Sequence, residues 1–183
     1  MAWWNTLLGV VVGAALGYLG AELREFFRRK RERQGHFEAL GVEIQICSDI
    51  ARGYSGGKVR APAYRMPLMA YQRSFPLLIA DGVLSLEEIN ALARFYMNAA
   101  AFNYSLDQAQ AVLMKKEEDR PPKRLENESF RARMKALKLN SEGESSNHYH
   151  TAIRVITAHL PEGSRKRLLL PGVELEEENE QWE

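Results

Sequence analysis

The chain opens on an apolar run. From Trp3 to Ala21 no side chain is ionisable except that of Tyr18. Counting on to Leu23 gives 21 residues. At roughly 1.5 Å per residue a helix of that length covers about 31 Å, the thickness of a bilayer's hydrocarbon layer. A helix satisfies its own backbone there, so the glycines do not count against it. Trp3, Trp4, Leu7, Leu8, Val10, Val11, Val12, Leu16 and Leu19 would face lipid, with the two tryptophans in the aromatic belt at one interface and Tyr18 near the other. Gly9, Gly13, Gly17 and Ala21 recur every four residues, a spacing that lets two membrane helices approach closely.

After the run the pattern changes to an amphipathic one. Phe37, Leu40, Ile44, Cys47, Ala51 and Tyr54 alternate at spacings of three and four, one apolar stripe along a helix. Nothing between residues 21 and 34 breaks a helix, and Gly35 is a single interruption, so one helix is expected to run from the anchor to about Tyr54. The glycines and proline of residues 53–63 mark a loop. A second helix over Pro67–Ile79 would point Leu68, Tyr71, Phe75, Leu78 and Ile79 inward, with Pro76 bending or splitting it and Asp81-Gly82 ending it.

Ser85 and Glu88 have the spacing of a capping box, the clearest helix start in the chain. From it a long helix should reach about Glu118. One inner row holds Leu86, Ile89, Leu92, Tyr96, Ala99, Asn103, Leu106 and Leu113, and a second holds Phe95, Phe102 and Ala109. A stripe that wide suits a bundle core. Asn103 would bind a neighbouring backbone or the hydroxyl of Tyr71 or Tyr96, because a buried amide must be paired.

Residues 119–123 break the pattern. Leu125–Leu139 is helical, with Phe130, Met134 and Leu137 on one side and Arg124, Arg131, Arg133, Lys135 and Lys138 crowding the rest. Residues 141–146 form a linker. A helix over Asn147–Leu160 follows, ended by Pro161-Glu162-Gly163, and Ser164 would cap a last short turn through Leu170. The expected class is therefore all-α: a single N-terminal transmembrane helix (1–23), a basic juxtamembrane collar (24–35), a helical bundle core (36–119), further helices (120–170) and an acidic, mobile tail (171–183).

Charge sets the orientation. Arg24, Arg28, Arg29, Lys30, Arg31 and Arg33 follow the apolar run, and nothing charged except the amino terminus precedes it. A cleaved signal peptide carries its cations first. The positive-inside rule places this collar, and all that follows it, in the cytoplasm, with the N-terminus outside the plasma membrane. The same six cations can meet anionic headgroups. Over the whole chain, 25 Lys+Arg balance 24 Asp+Glu to a formal charge of +1, which argues against a nucleic-acid binder. One cysteine, Cys47, forbids an internal disulfide and sits on the apolar stripe as a core thiol.

No residue pattern points to catalysis. Ser55, Gly56, Gly57 and Lys58 lack the spacing of a phosphate-binding loop. His148, His150 and His159 lack the i, i+4 spacing and acidic partners of a helical zinc site. No cofactor or metal is expected, and no enzyme. The reading is a membrane-tethered module for protein interaction, with an unknown protein or a second copy as partner. Its alternative is a protein acting through oligomerisation of the glycine-rich helix. An enzyme working near Asn103 ranks third.

Overall fold

The computed structural model describes residues 2–55, 64–115, 122–144 and 147–168. Among them the chain is all-α. The helices are α1 (Ala2–Ser55), α2 (Met69–Ala80), α3 (Leu86–Leu113), α4 (Pro122–Leu139), α5 (His148–His159) and α6 (Glu162–Leu168). The chain divides into two compact units, Met1–Gly35 and His36–Glu183. Of the loop expected at 53–63, residues 53–55 still belong to α1 and 56–63 lie outside the described residues; of the break expected at 119–123, Pro122 and Lys123 already begin α4 and 119–121 lie outside, as does the acidic tail.

In the first unit the helix carries Trp3, Leu16, Tyr18, Leu19, Leu23, Phe26 and Phe27 exposed. The side chains of residues 4–12, 14 and 15 lie outside the described residues, and with them most of the expected anchor: Trp4, Leu7, Leu8, Gly9, Val10, Val11 and Val12. Among the described residues no helix is long and apolar enough to cross a membrane. Through the collar the helix is braced by ion pairs one turn apart. Glu25 accepts from Arg28 at 2.8 Å and Arg29 at 2.9 Å, and Arg28 also reaches Glu32 at 3.5 Å. Such i, i+3 and i, i+4 pairs favour helix through a stretch with little else to hold it.

The second unit has its own core. Phe37, Leu40, Ile44, Cys47 and Ala51 are buried, as the stripe required, and Tyr54 packs against them. Leu92, Phe95, Tyr96, Ala99, Phe102, Leu106 and Ala109 of α3 are buried with them, and α5 adds Tyr149, Ala152, Ile153 and Ile156. The capping box forms as expected. Glu88 N–H donates to Ser85 Oγ at 3.3 Å, and Ser85 N–H donates to Glu88 Oε2 at 2.7 Å. Gly82, at φ +64°, makes the turn before it, a conformation that favours glycine.

Several expectations shift. The α2 helix runs on through Pro76 without splitting, and Ile79 is exposed rather than inward. On α3, Leu86 and Leu113 are exposed, and Val112 is buried near an end that falls at Leu113 rather than Glu118. Pro161 is followed by α6 at once, so Glu162 and Gly163 begin a helix instead of ending one. The side of α4 that bears Phe130, Met134 and Leu137 is the outer side, and the core-facing side holds the small Ala132 and Ala136 with Leu139.

Candidate functional site

The best-formed concavity lies between the second half of α1 and α6. It is a cleft of about 310 Å³ lined by Glu38, Val42, Gln45, Ile46, Asp49, Ser164, Arg167 and Leu168. Val42 and Ile46 fall on the α1 face opposite the buried stripe and stand about half exposed, at 52% and 45%. They form the apolar floor with Leu168.

Two hydrogen bonds fix the walls. Ser164 Oγ donates to Glu38 Oε1 at 2.6 Å, and Gln45 Nε2 donates to the Leu168 carbonyl at 3.3 Å. Ser164 is thus a clasp to α1 and not the cap it was expected to be. Gly41 makes the close approach possible. A Cβ there would lie 2.7 Å from both methyl carbons of Leu168 and 3.1 Å from Ile156 Cγ2. The cleft is acidic at Glu38 and Asp49, with Arg167 beside them, and apolar at Val42, Ile46 and Leu168.

A buried polar cluster lies deeper. Glu43, 5% exposed, accepts from Ala70 N–H at 2.8 Å and Tyr71 N–H at 2.9 Å. Leu68, at the N-cap of α2, offers no side-chain oxygen, so the carboxylate of another helix satisfies those amides and opposes the positive end of the α2 dipole. Tyr96 stacks on Tyr71 at 4.1 Å and sends its hydroxyl to the Leu40 carbonyl at 3.5 Å. Burial, and then the charge of Glu43, push the Tyr96 hydroxyl and the Cys47 thiol above their ordinary ranges. Cys47 points its Sγ at the Pro67 carbonyl. The cluster is a structural joint, with a protonated thiol that is no nucleophile.

Asn103 is also a joint. Its Oδ1 accepts from Met66 N–H at 2.8 Å and its Nδ2 donates to Met66 C=O at 2.9 Å, so it holds the strand of chain before α2 through backbone and not through Tyr71 or Tyr96. Asn140, in the expected linker region, is buried and does as much. Its Nδ2 donates to Ser55 Oγ at 3.1 Å, its Oδ1 accepts from Glu142 N–H at 3.0 Å, and its carbonyl accepts from Asn147 Nδ2 at 2.6 Å. Beside it Ser141 N–H donates to Ser48 Oγ at 2.9 Å. The ends of α1 and α4 and the start of α5 meet there. Gly41, Glu43 and Asn140 are what sequence reasoning missed, since each acts on a partner far along the chain.

The histidines are spread apart. His159 Nε2 lies 2.7 Å from Glu88 Oε1, and its ring stacks on Phe37 at 4.6 Å. Burial pushes Glu88's carboxyl up, but hydrogen bonds from the Ser85 amide and His159 outweigh it and leave the group below its ordinary value. His148 is lowered by burial first and then by Lys138, Arg94 and Lys135. Tyr149 leaves its hydroxyl buried without a hydrogen-bond partner among the described residues, although Gln45 approaches it.

The residues assigned to the membrane and its surface belong to the first unit. Trp3, Leu16, Leu19 and Ala21 are exposed, and among the described residues, the neighbouring turns of the helix aside, nothing lies within 4 Å of a Cβ built on Gly13 or Gly17. Arg24, Arg28, Arg29, Lys30 and Arg31 are exposed, and Arg33 is half-buried. The hydrogen bonds of Arg28 and then Arg29 hold Glu25 down to about 2, so two of the six cations are already engaged.

No protein-family model, no curated protein and no solved structure matches the chain. What its own fold defines, among the described residues, is a helical bundle with a partly apolar cleft between α1 and α6.

Proposed function

We propose that the protein is a single-pass membrane-anchored module, held by residues 3–23 and presenting its bundle at the cytoplasmic face for protein contact. The observation that carries this is an apolar run with no charged side chain from Trp3 to Ala21, followed by six cations between Arg24 and Arg33. The exposure of the large apolar Leu16, Leu19 and Leu23 supports it. The cleft between α1 and α6 is where the partner docks, inserting one bulky apolar side chain over Val42 and Ile46 with a cation next to it facing Glu38 or Asp49. Tethering raises effective concentration, so a contact this small suffices.

Photo-crosslinking in cells tests the contact. A photoreactive residue at Ile46 should give discrete adducts, and one at the more exposed Met97 should give none. Uniform smears, or adducts from Met97 alone, refute the cleft. The partner could be a second copy, and the spacing of Gly9, Gly13, Gly17 and Ala21 supports that second reading. Gly13→Leu with Gly17→Leu should then abolish self-association in a membrane two-hybrid assay, and unchanged association removes the reading.

A further inference from the structure

Three large apolar side chains form a row on the outside of α4. Phe130, Met134 and Leu137 follow at i, i+4 and i+7, and they are 63%, 43% and 45% exposed. A helix normally turns such a row into the core. Here the core side is occupied by Ala132, Ala136 and Leu139, so the row has no partner within the described bundle. On a helical projection Arg133 flanks the row on one side and Lys138 and Arg131 flank it on the other. Along α4 six cations stand against two acids, a surplus of four in a chain whose whole net charge is +1.

We infer that the outer face of α4 lies on an anionic bilayer surface, with Phe130, Met134 and Leu137 dipping into the headgroup boundary and Arg133 and Lys138 meeting the lipid charges. Two features select this occupant. Bulky apolar residues edged by cations are what an interfacial helix uses, since burial of the row and attraction to anionic lipid act together. A protein interface also has a polar rim, but this rim is cationic on a helix with a surplus of four positive charges, which matches an anionic surface. The inference rests on the tether proposed above, which keeps the bundle within reach of a membrane and makes a weak surface contact persist. Arg131 is partly spent on Glu128, at 2.8 Å, so Arg133 and Lys138 carry most of the electrostatic part.

The test uses the full chain with Met134→Cys labelled by an environment-sensitive fluorophore. Cys47 is buried and protonated, and the unsubstituted chain controls for its labelling. The protein is reconstituted in vesicles of phosphatidylcholine alone or with added phosphatidylglycerol. In the anionic vesicles the emission should shift to the blue and be quenched by spin-labelled lipid, and high salt should reverse both. Adding Arg133→Gln and Lys138→Gln should return the label to water. A label that stays in water in both vesicles overturns the inference. So does a label shielded equally in both, in proportion to protein density, because a second copy then covers the row. Retention of the same chain after alkaline washing reads the tether separately. A chain that is retained with its label in water sinks the α4 contact and spares the anchor.

Discussion

The second half of α1 and the whole of α4 are both amphipathic helices, and they solve their packing in opposite ways. In α1 the large side chains, Phe37, Leu40 and Ile44, are inside. In α4 the large ones, Phe130, Met134 and Leu137, are outside, and alanines at 132 and 136 face the core. The difference comes from the neighbour. The α4 helix packs closely along α3, and the side chains it buries include the small Ala132 and Ala136. Small residues let two helices approach closely at a close-packed contact. Hydrophobicity alone orients a helix only where the space across from it is free.

Mutation can break this contrast. The largest effect should come from the α1 interior: Leu40→Ala leaves a cavity and should cost about 2–5 kcal/mol, read as a lower midpoint in urea unfolding. Overfilling the tight side of α4 comes next. Ala136→Leu should destabilise by about 1–3 kcal/mol, although Leu is a good helix former, because the added carbons enter a packed layer. If the variant is neutral, the α4 face assignment is wrong. Asn140→Ala should cost about 1–3 kcal/mol, since it strands the Glu142 amide and frees Ser55 where three helices meet.

A smaller effect sharpens the comparison from the electrostatic side. His148 sits among Lys138, Arg94 and Lys135, and burial and these cations lower its folded value below 6.5. The unfolded chain therefore takes up a proton that the folded chain resists. The contribution is fully present above that pH and is lost as pH falls from 6.5 through the depressed folded value. In His148→Gln the slope of stability against pH over that interval should flatten. An unchanged slope would place the titration elsewhere. Smallest of all, Phe130→Ser should move stability by no more than about 0.5 kcal/mol in the detergent-solubilised protein, because the ring covers nothing in the bundle.

What the sequence made legible follows from distance along the chain. The stripe Phe37–Tyr54 and the Ser85–Glu88 box could be read because periodicity and caps are local; that Asn103 needs a partner followed from its place on the inner stripe, but not that the partner is Met66, 37 residues away. Glu43 capping α2 from 27 residues away, and Gly41 admitting Leu168, could not, since neither has a local signature. Asn140 gave no signal either, because its bond to Ser55 spans 85 residues. The cleft of α1 and α6 depends on all of these, so its residues were not legible as a site. The cationic flank of the apolar run was legible at once, because orientation in a bilayer is governed by charge order along the chain.

Everything functional depends on where the bundle stands relative to a membrane. Expression of the full chain in bacteria with either green fluorescent protein or alkaline phosphatase at its C-terminus measures this directly. The account predicts fluorescence confined to the cell envelope and an inactive phosphatase. An active phosphatase, or fluorescence spread through the cell interior, contradicts it.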